Sequence, residues 1–257
     1  DKSIFKVVNN KTLGIGIGEA WSFNQKIIKL FSGKLLDFMG IPLPRYRGGA
    51  HYTWMIMCGE RKNGVRLQII NKDMVQGKFD SGKIVYSLDY TMNKSEFLPI
   101  HFFKREVKEG LKLLKRFLKD VNKGKSFKLK HINEKNSLFM PRLNTSYNGW
   151  INWYWTGKEI ESFIHSFDAP YKGASTRING QRVYLKDVSL LKKNIKFHPF
   201  QSGIIIRISK KEGLVIATSD GELAIKKILN TSGKDIKHKF FTGNRFITSQ
   251  KDFDSAI

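Results

Sequence analysis

The chain has 257 residues, enough to bury a sizeable core in one or two domains. It is 40% hydrophobic with 19 Phe, which excludes a disordered chain, and no apolar run reaches the roughly 18 residues of a spanning helix. With 46 Lys and Arg against 22 Asp and Glu, its formal charge of +24 fits a polyanionic partner such as nucleic acid, and equally the Lys-, Asn-, Ile- and Phe-rich usage of AT-rich coding.

In chain order, Leu13-Gly14-Ile15-Gly16-Ile17-Gly18 alternates apolar residues with glycine. It predicts a buried strand running into a loop where something approaches the backbone closely. The glycines lack dinucleotide spacing, so NAD binding is not expected. Ser22 to Phe31 predicts a helix with Ile27, Ile28, Leu30 and Phe31 on its apolar face and Gly33 as its stop. Leu35 and Leu36 lead into a loop with two prolines and two adjacent glycines. Ala50 to Cys58 then predicts a helix with His51 at its start, as a surface or capping residue, and Cys58 packed at its end. One cysteine makes no internal disulfide, and no signal peptide is expected, so a cytoplasmic protein is expected.

Lys62-Asn63-Gly64 predicts a turn and Val65 to Ile70 a strand; Asp80-Ser81-Gly82 opens another apolar run. Strand, loop, helix, strand, loop, strand is an α/β order, and it gathers polar groups at strand ends, where sites in open α/β sheets form. Phe103, Val107, Leu111, Leu114, Leu118 and Val121 recur every three or four residues, with Lys104, Arg105, Lys108, Lys112, Lys115 and Arg116 opposite. That pattern predicts an amphipathic helix laid on the sheet. Lys123 to Tyr147 is polar, basic and aperiodic, and reads as an interdomain linker.

Trp150, Trp153 and Trp155 follow, suited to stacking on bases or to packing between domains. Thr156 and Glu159 form a capping-box pattern, and Ile160, Phe163, Ile164 and Phe167 give the ensuing helix its apolar stripe up to Pro170. Strands are predicted at 174–178 and 182–188 around the hairpin signal Asn179-Gly180, then at 203–208, 214–218 and 222–228. Five short strands with tight turns predict a small barrel like the oligonucleotide-binding fold. The expected division is 1–122 as an α/β domain, 123–148 as linker and 149–257 as β-barrel. No cluster has metal-ligand spacing and no P-loop is present, so no metal is expected.

Pro42-Leu43-Pro44-Arg45-Tyr46-Arg47-Gly48-Gly49-Ala50, Trp54 before Ile56, Gly59, Gly64-Val65 and Asp80-Ser81-Gly82-Lys83-Ile84 together resemble the formyltransferases that use 10-formyltetrahydrofolate. Methionyl-tRNA formyltransferases and sugar N-formyltransferases are members. The resemblance continues through Asn152-Trp153, Phe167 to Ala174, His198 to Gln201 and Gly243 to Ile247. It implies a Rossmann-like catalytic domain, here lacking its N-terminal part, followed by a small C-terminal barrel. It implies 10-formyltetrahydrofolate as co-substrate near Gly16, Gly18, Leu43, Pro44 and Gly82. It places the amine substrate, initiator methionyl-tRNA or a nucleotide-linked amino sugar, near Arg45, Arg47, Gly48, Gly49, His51 and Trp54.

The family's catalytic residues are an Asn, a His two residues on, and a later Asp. The matching positions here are Asp37, Met39 and Asp80. Formyl transfer needs a neutral amine, a group to take its proton, and a donor facing the oxygen that gains charge. Asp80 can hold a base or a water. An ionised Asp37 is acceptor-only and Met39 has no proton to exchange. Loss of an oxyanion donor costs about 10²–10³ in rate and loss of acid–base help about 10²–10⁴. Two routes around that loss are an Asp37 of raised pKa acting beside Asp80, and His51 as a substitute base. The function expected is formyl transfer to methionyl-tRNA; the alternatives are a nucleotide-linked amino sugar as acceptor, or an inactive family member with a binding role.

Overall fold

A turn of helix, α1 (Ile4–Val7), precedes β1 (Gly14–Ile17), α2 (Gln25–Leu30) and β2 (Leu35–Met39) in the computed structural model, which describes residues 3–9, 11–18, 23–75, 78, 80–191 and 195–254. β2 runs parallel to β1, with Gly16 beside Asp37. Asn24 caps α2 by accepting from the Lys26 amide, and Ser22, the expected start, lies outside the described residues. β3 (Arg47–Gly48), α3 (His51–Met57), β4 (Lys62–Ile69), α4 (Lys72–Val75), β5 (Ile84–Thr91), α5 (Pro99–Asn122) and β6 (Phe139–Met140) follow. The sheet order is β1-β2-β4-β5, with β4 antiparallel to both neighbours. Lys62-Asn63-Gly64 is strand rather than turn, because Thr91, Tyr90 and Asp89 of β5 pair with it.

The chain divides into two compact units: Asp1–His51, Arg61–Asn93 and Phe103–Pro141 form the first, and Tyr52–Glu60, Lys94–Phe102 and Arg142–Ile257 the second. In the first, period-two alternation splits the sheet's side chains between two cores. Leu36, Val65 and Leu67 meet Leu113 and Phe117 of α5, while Leu35 and Ile70 meet Ile28 and Phe31 from the α2 region. α5 buries only part of the stripe its spacing predicts, Leu114 and Val121 packing on the core. Phe103, Val107, Leu111 and Leu118 are 45–54% exposed. Gly110 sits against the Phe38 ring, where a Cβ would lie 2.5 Å from that ring, and this close approach turns Leu113 and Phe117 inward instead.

The expected linker carries tertiary bonds. Lys130 and Ile84 exchange two backbone hydrogen bonds of 2.9 Å, β6 lies parallel to β3, and Arg47 pairs with Glu134 at 2.8 Å. Residues 123–141 therefore extend the first unit.

The second unit contains α6 (Thr145–Asn148), α7 (Gly157–Ser166), β7 (Ala174–Ile178), β8 (Gln181–Leu191), β9 (Ile205–Ser209), β10 (Gly213–Thr218), β11 (Gly221–Leu229), β12 (Phe246–Ile247) and α8 (Gln250–Asp254). The capping box of Thr156 and Glu159 starts α7 as its sequence predicts. Asn179 and Gly180 both take positive φ (50° and 76°), the geometry of the tight hairpin between β7 and β8. The antiparallel sheet runs β12-β7-β8-β11-β10-β9. Its two outer ends also meet: the Phe246 amide donates to Gly203, the Ile205 amide to Asn244 and the Gly243 amide to Ile205, at 2.8–2.9 Å. The sheet thus curls into the small barrel expected, and α7 adds Ile160, Phe163 and Ile164 to its core.

The tryptophans serve this core. Trp153 stacks on Phe246 at 5.5 Å and donates Nε1–H to Thr176 Oγ1 at 2.9 Å. Trp155 meets Phe163 edge-on, and Trp150, buried, lies under the Arg182 guanidinium at 4.1 Å. Neither Trp150 nor Trp153 presents a face for a base.

Candidate functional site

The loop after β2 holds the first half of the site. The Leu43–Pro44 bond is cis and Leu43 and Tyr46 are buried. Arg45 is exposed, its guanidinium 5.6 Å from the Tyr46 ring. β3 and β6 pin the next residues: the Arg47 amide donates to Leu138 O, and the Gly49 amide to Met140 O at 2.9 Å. Gly48 has φ +98°, and a Cβ there would overlap Met140 O, so only glycine fits.

That backbone points the Gly48 N–H at Asp80, whose Oδ2 accepts it at 3.0 Å. Asp80 occupies the left-handed region (φ 55°), which Asp tolerates, and is 8% exposed. Burial pushes its carboxyl above the ordinary carboxylate range, against the opposing pull of the Gly48 hydrogen bond and of the Arg47 and His51 charges. Phe79, its neighbour in the expected turn, lies outside the described residues. Gly82 is pressed on the backbone of β4, where a Cβ would overlap Ile69 O; packing requires this glycine whether or not a ligand does.

Ala50, also at positive φ (54°), turns the chain into α3 and brings in His51. Its side chain is 18% exposed, more buried than a surface cap. Nε2 lies 3.8 Å from Glu106 Oε2 on α5. Trp54, half-buried on α3, belongs to the second unit, and Cys58, just past the helix, is exposed rather than packed.

The other catalytic positions lie in the sheet. Asp37 stands in a row across three strands, between Gly16 of β1 and Gln68 of β4. Directly opposed residues share a sheet face, so Gln68 flanks Asp37. Gln68 is fully buried, and neither its Oε1 nor its Nε2 has a hydrogen-bond partner. Met39 is buried opposite Arg66, which reaches Asp89. Gly18, at the exposed end of β1, takes φ +69°.

The structure therefore groups Asp80, Arg47, Gly48 and His51 from the predicted set, and adds Glu106. The sequence offered one signal for Glu106, an acidic residue inside a basic helix. Gln68 gave none, since a glutamine in a strand is ordinarily half solvated. Among the described residues no group of three or more His, Cys, Asp or Glu is placed to hold a metal, and no helix is long and apolar enough to cross a membrane.

Comparison with known proteins accounts for both units. Residues 145–245 match the formyl transferase C-terminal domain. A methionyl-tRNA formyltransferase of Mycoplasma capricolum is 26% identical over 227 residues, covering 88% of this chain and 67% of its own. The chain thus spans about two thirds of that relative. Among solved structures, WlaRD, a sugar 3N-formyl transferase, superposes with TM-score 0.66 at 18% identity, covering 87% of this chain and 75% of its own. HypX from Aquifex aeolicus superposes with TM-score 0.63 at 22% identity, over 85% of this chain and 37% of HypX. Residues 145–245 are thus a formyl transferase C-terminal domain, and similarity to methionyl-tRNA formyltransferases continues through the first unit.

Proposed function

We propose that this protein transfers a formyl group from 10-formyltetrahydrofolate to a primary amine, with methionyl-tRNA the favoured acceptor. The observation that carries the reading is the buried Asp80 carboxyl, fixed by the Gly48 N–H beside His51 at the Leu-Pro-Arg-Tyr-Arg loop. A buried carboxyl held above its usual range is suited to proton handling. The donor set fits a formyl amide: the partnerless carboxamide of Gln68, on the same sheet face as Asp37, can donate to a carbonyl oxygen. In this reading Gly16, Gly18, Leu43, Pro44 and Gly82 border the folate, and Arg45, Arg47 and Gly49 the amine substrate. When bound, the folate supplies the activated formyl carbon. The chain's residues hold the acceptor, exclude water and move its proton.

Methionyl-tRNA is favoured because the relatives matched by sequence carry that name and because a charge of +24 attracts a polyanion. The cytoplasm is where such an acceptor would be met. The second reading, a nucleotide-linked amino sugar, draws on the superposition with WlaRD, solved in the presence of dTDP and 5-N-formyl-THF.

The test is formylation of initiator methionyl-tRNA and of a dTDP-linked amino sugar, each with 10-formyltetrahydrofolate. Transfer to the tRNA, reduced about 10²–10⁴-fold by Asp80→Asn, is the expected result. Transfer to the sugar alone moves the assignment to the second reading. Transfer to neither overturns both.

A further inference from the structure

Glu106 is set apart from the other acidic residue near it. Glu109, three residues on, is spanned within its own helix by Arg105 and Lys112. The Glu106 carboxylate instead lies over Gly40, directly after β2, and reaches to 3.8 Å from His51 Nε2. Gly40 makes the room, since a Cβ there would overlap the carboxylate. Both side chains of the pair are largely withdrawn from water, 18% exposed for His51 and 17% for Glu106, so the carboxylate acts on the ring with little screening. His51 also lies close enough to Asp80 for its charge to act on that carboxyl.

We propose that His51, held by Glu106, is the general base of the transfer, serving from the start of α3 the role that a methionine at position 39 cannot. The assignment rests on the formyl-transfer reading above. His51 takes the proton that the amine loses as its nitrogen bonds to the formyl carbon. It returns that proton to the folate nitrogen as the bond from that nitrogen to the formyl carbon breaks. The products are a formamide and tetrahydrofolate, and the imidazole ends neutral. Glu106 is a positioning residue: it orients the ring and stabilises the imidazolium while the proton is held. Three charged groups bear on His51 and Asp80: Glu106 from α5, Asp80 itself and Arg47 from β3.

The experiment measures steady-state transfer to whichever acceptor the wild type uses. His51→Gln is expected to lower kcat about 10²–10⁴-fold with KM little changed. Glu106→Gln is expected to lower kcat about tenfold, again with KM little changed, and Glu106→Asp to recover part of that loss. Gly40→Ala, which keeps His51 and Glu106 but displaces the carboxylate, is expected to lower kcat in the same way. An unchanged kcat in His51→Gln overturns the base assignment, and an unchanged kcat in both Glu106→Gln and Gly40→Ala overturns the role of Glu106. If the wild type transfers to no amine, the formyl-transfer reading falls and the base assignment with it.

Discussion

In the second unit the buried charges come with partners. Arg177 spans Asp252 through Nε and Nη2, Arg207 joins Glu222 and Glu212, and Lys186 meets Asp168 at 3.0 Å. Trp150 Nε1 and Ser202 Oγ are buried there without a hydrogen bond. In the first unit the Gln68 carboxamide, Asn63 Nδ2, Ser81 Oγ and Tyr90 Oη are all buried without one. A buried polar atom left so costs about 1–3 kcal/mol. The contrast separates a unit whose buried charges are paired from one that keeps several buried polar atoms without a hydrogen bond.

The largest expected effect tests the packed side. Phe246→Ala removes a ring that is 1% exposed and stacked on Trp153, and is expected to cost about 3–5 kcal/mol in chemical denaturation of the second unit. A loss below about 1 kcal/mol would mean that the barrel's seam is soft. Next is acid sensitivity. The Arg177 hydrogen bonds, joined by Ser249, hold the Asp252 carboxyl down at about 2. A depressed carboxyl stabilises the fold above its unfolded pKa, and that stability is lost as pH falls from about 4 towards 2. The amount is about 2 kcal/mol. Asp252→Asn should flatten the fall of Tm in that window; an identical acid profile would remove Asp252 from the account. The smallest effect sharpens the comparison on the open side. Gln68→Leu replaces the partnerless amide with carbon of similar size and is expected to raise stability by about 1 kcal/mol while lowering formyl transfer. A gain of stability with full activity would show that the amide meets no ligand.

Much of the second unit was readable because its signals are local. Asn179-Gly180 sets its hairpin by backbone conformation, and Thr156 with Glu159 sets the start of α7 within four residues. The first unit depends on partners distant in sequence. Residues 123–141 look like a linker until Arg47 meets Glu134, 87 positions away, and Phe139 meets Arg47 in the β3–β6 pair. α5 shows how a correct period can give a wrong face. Phe103, Val107, Leu111 and Leu118 stay exposed while Leu113, Leu114, Phe117 and Val121 pack, because Gly110 fixes the rotation by letting Phe38 in. Asp80 was legible from its turn and motif, whereas Glu106 showed only as an acidic residue in a basic helix, because His51 and Gly40 are brought to it by the fold.

The meeting of the barrel's two ends has a consequence for synthesis. The seam is built from residues 203–205 and 243–246, so the β7–β9 core cannot shut until the last of these has cleared the ribosome. Until then β7 and β9 are bare margins able to pair with another nascent chain. Translation pausing ahead of Gly243 would be the moment of greatest risk for such cross-pairing, and release of the few residues through Ile247 would end it.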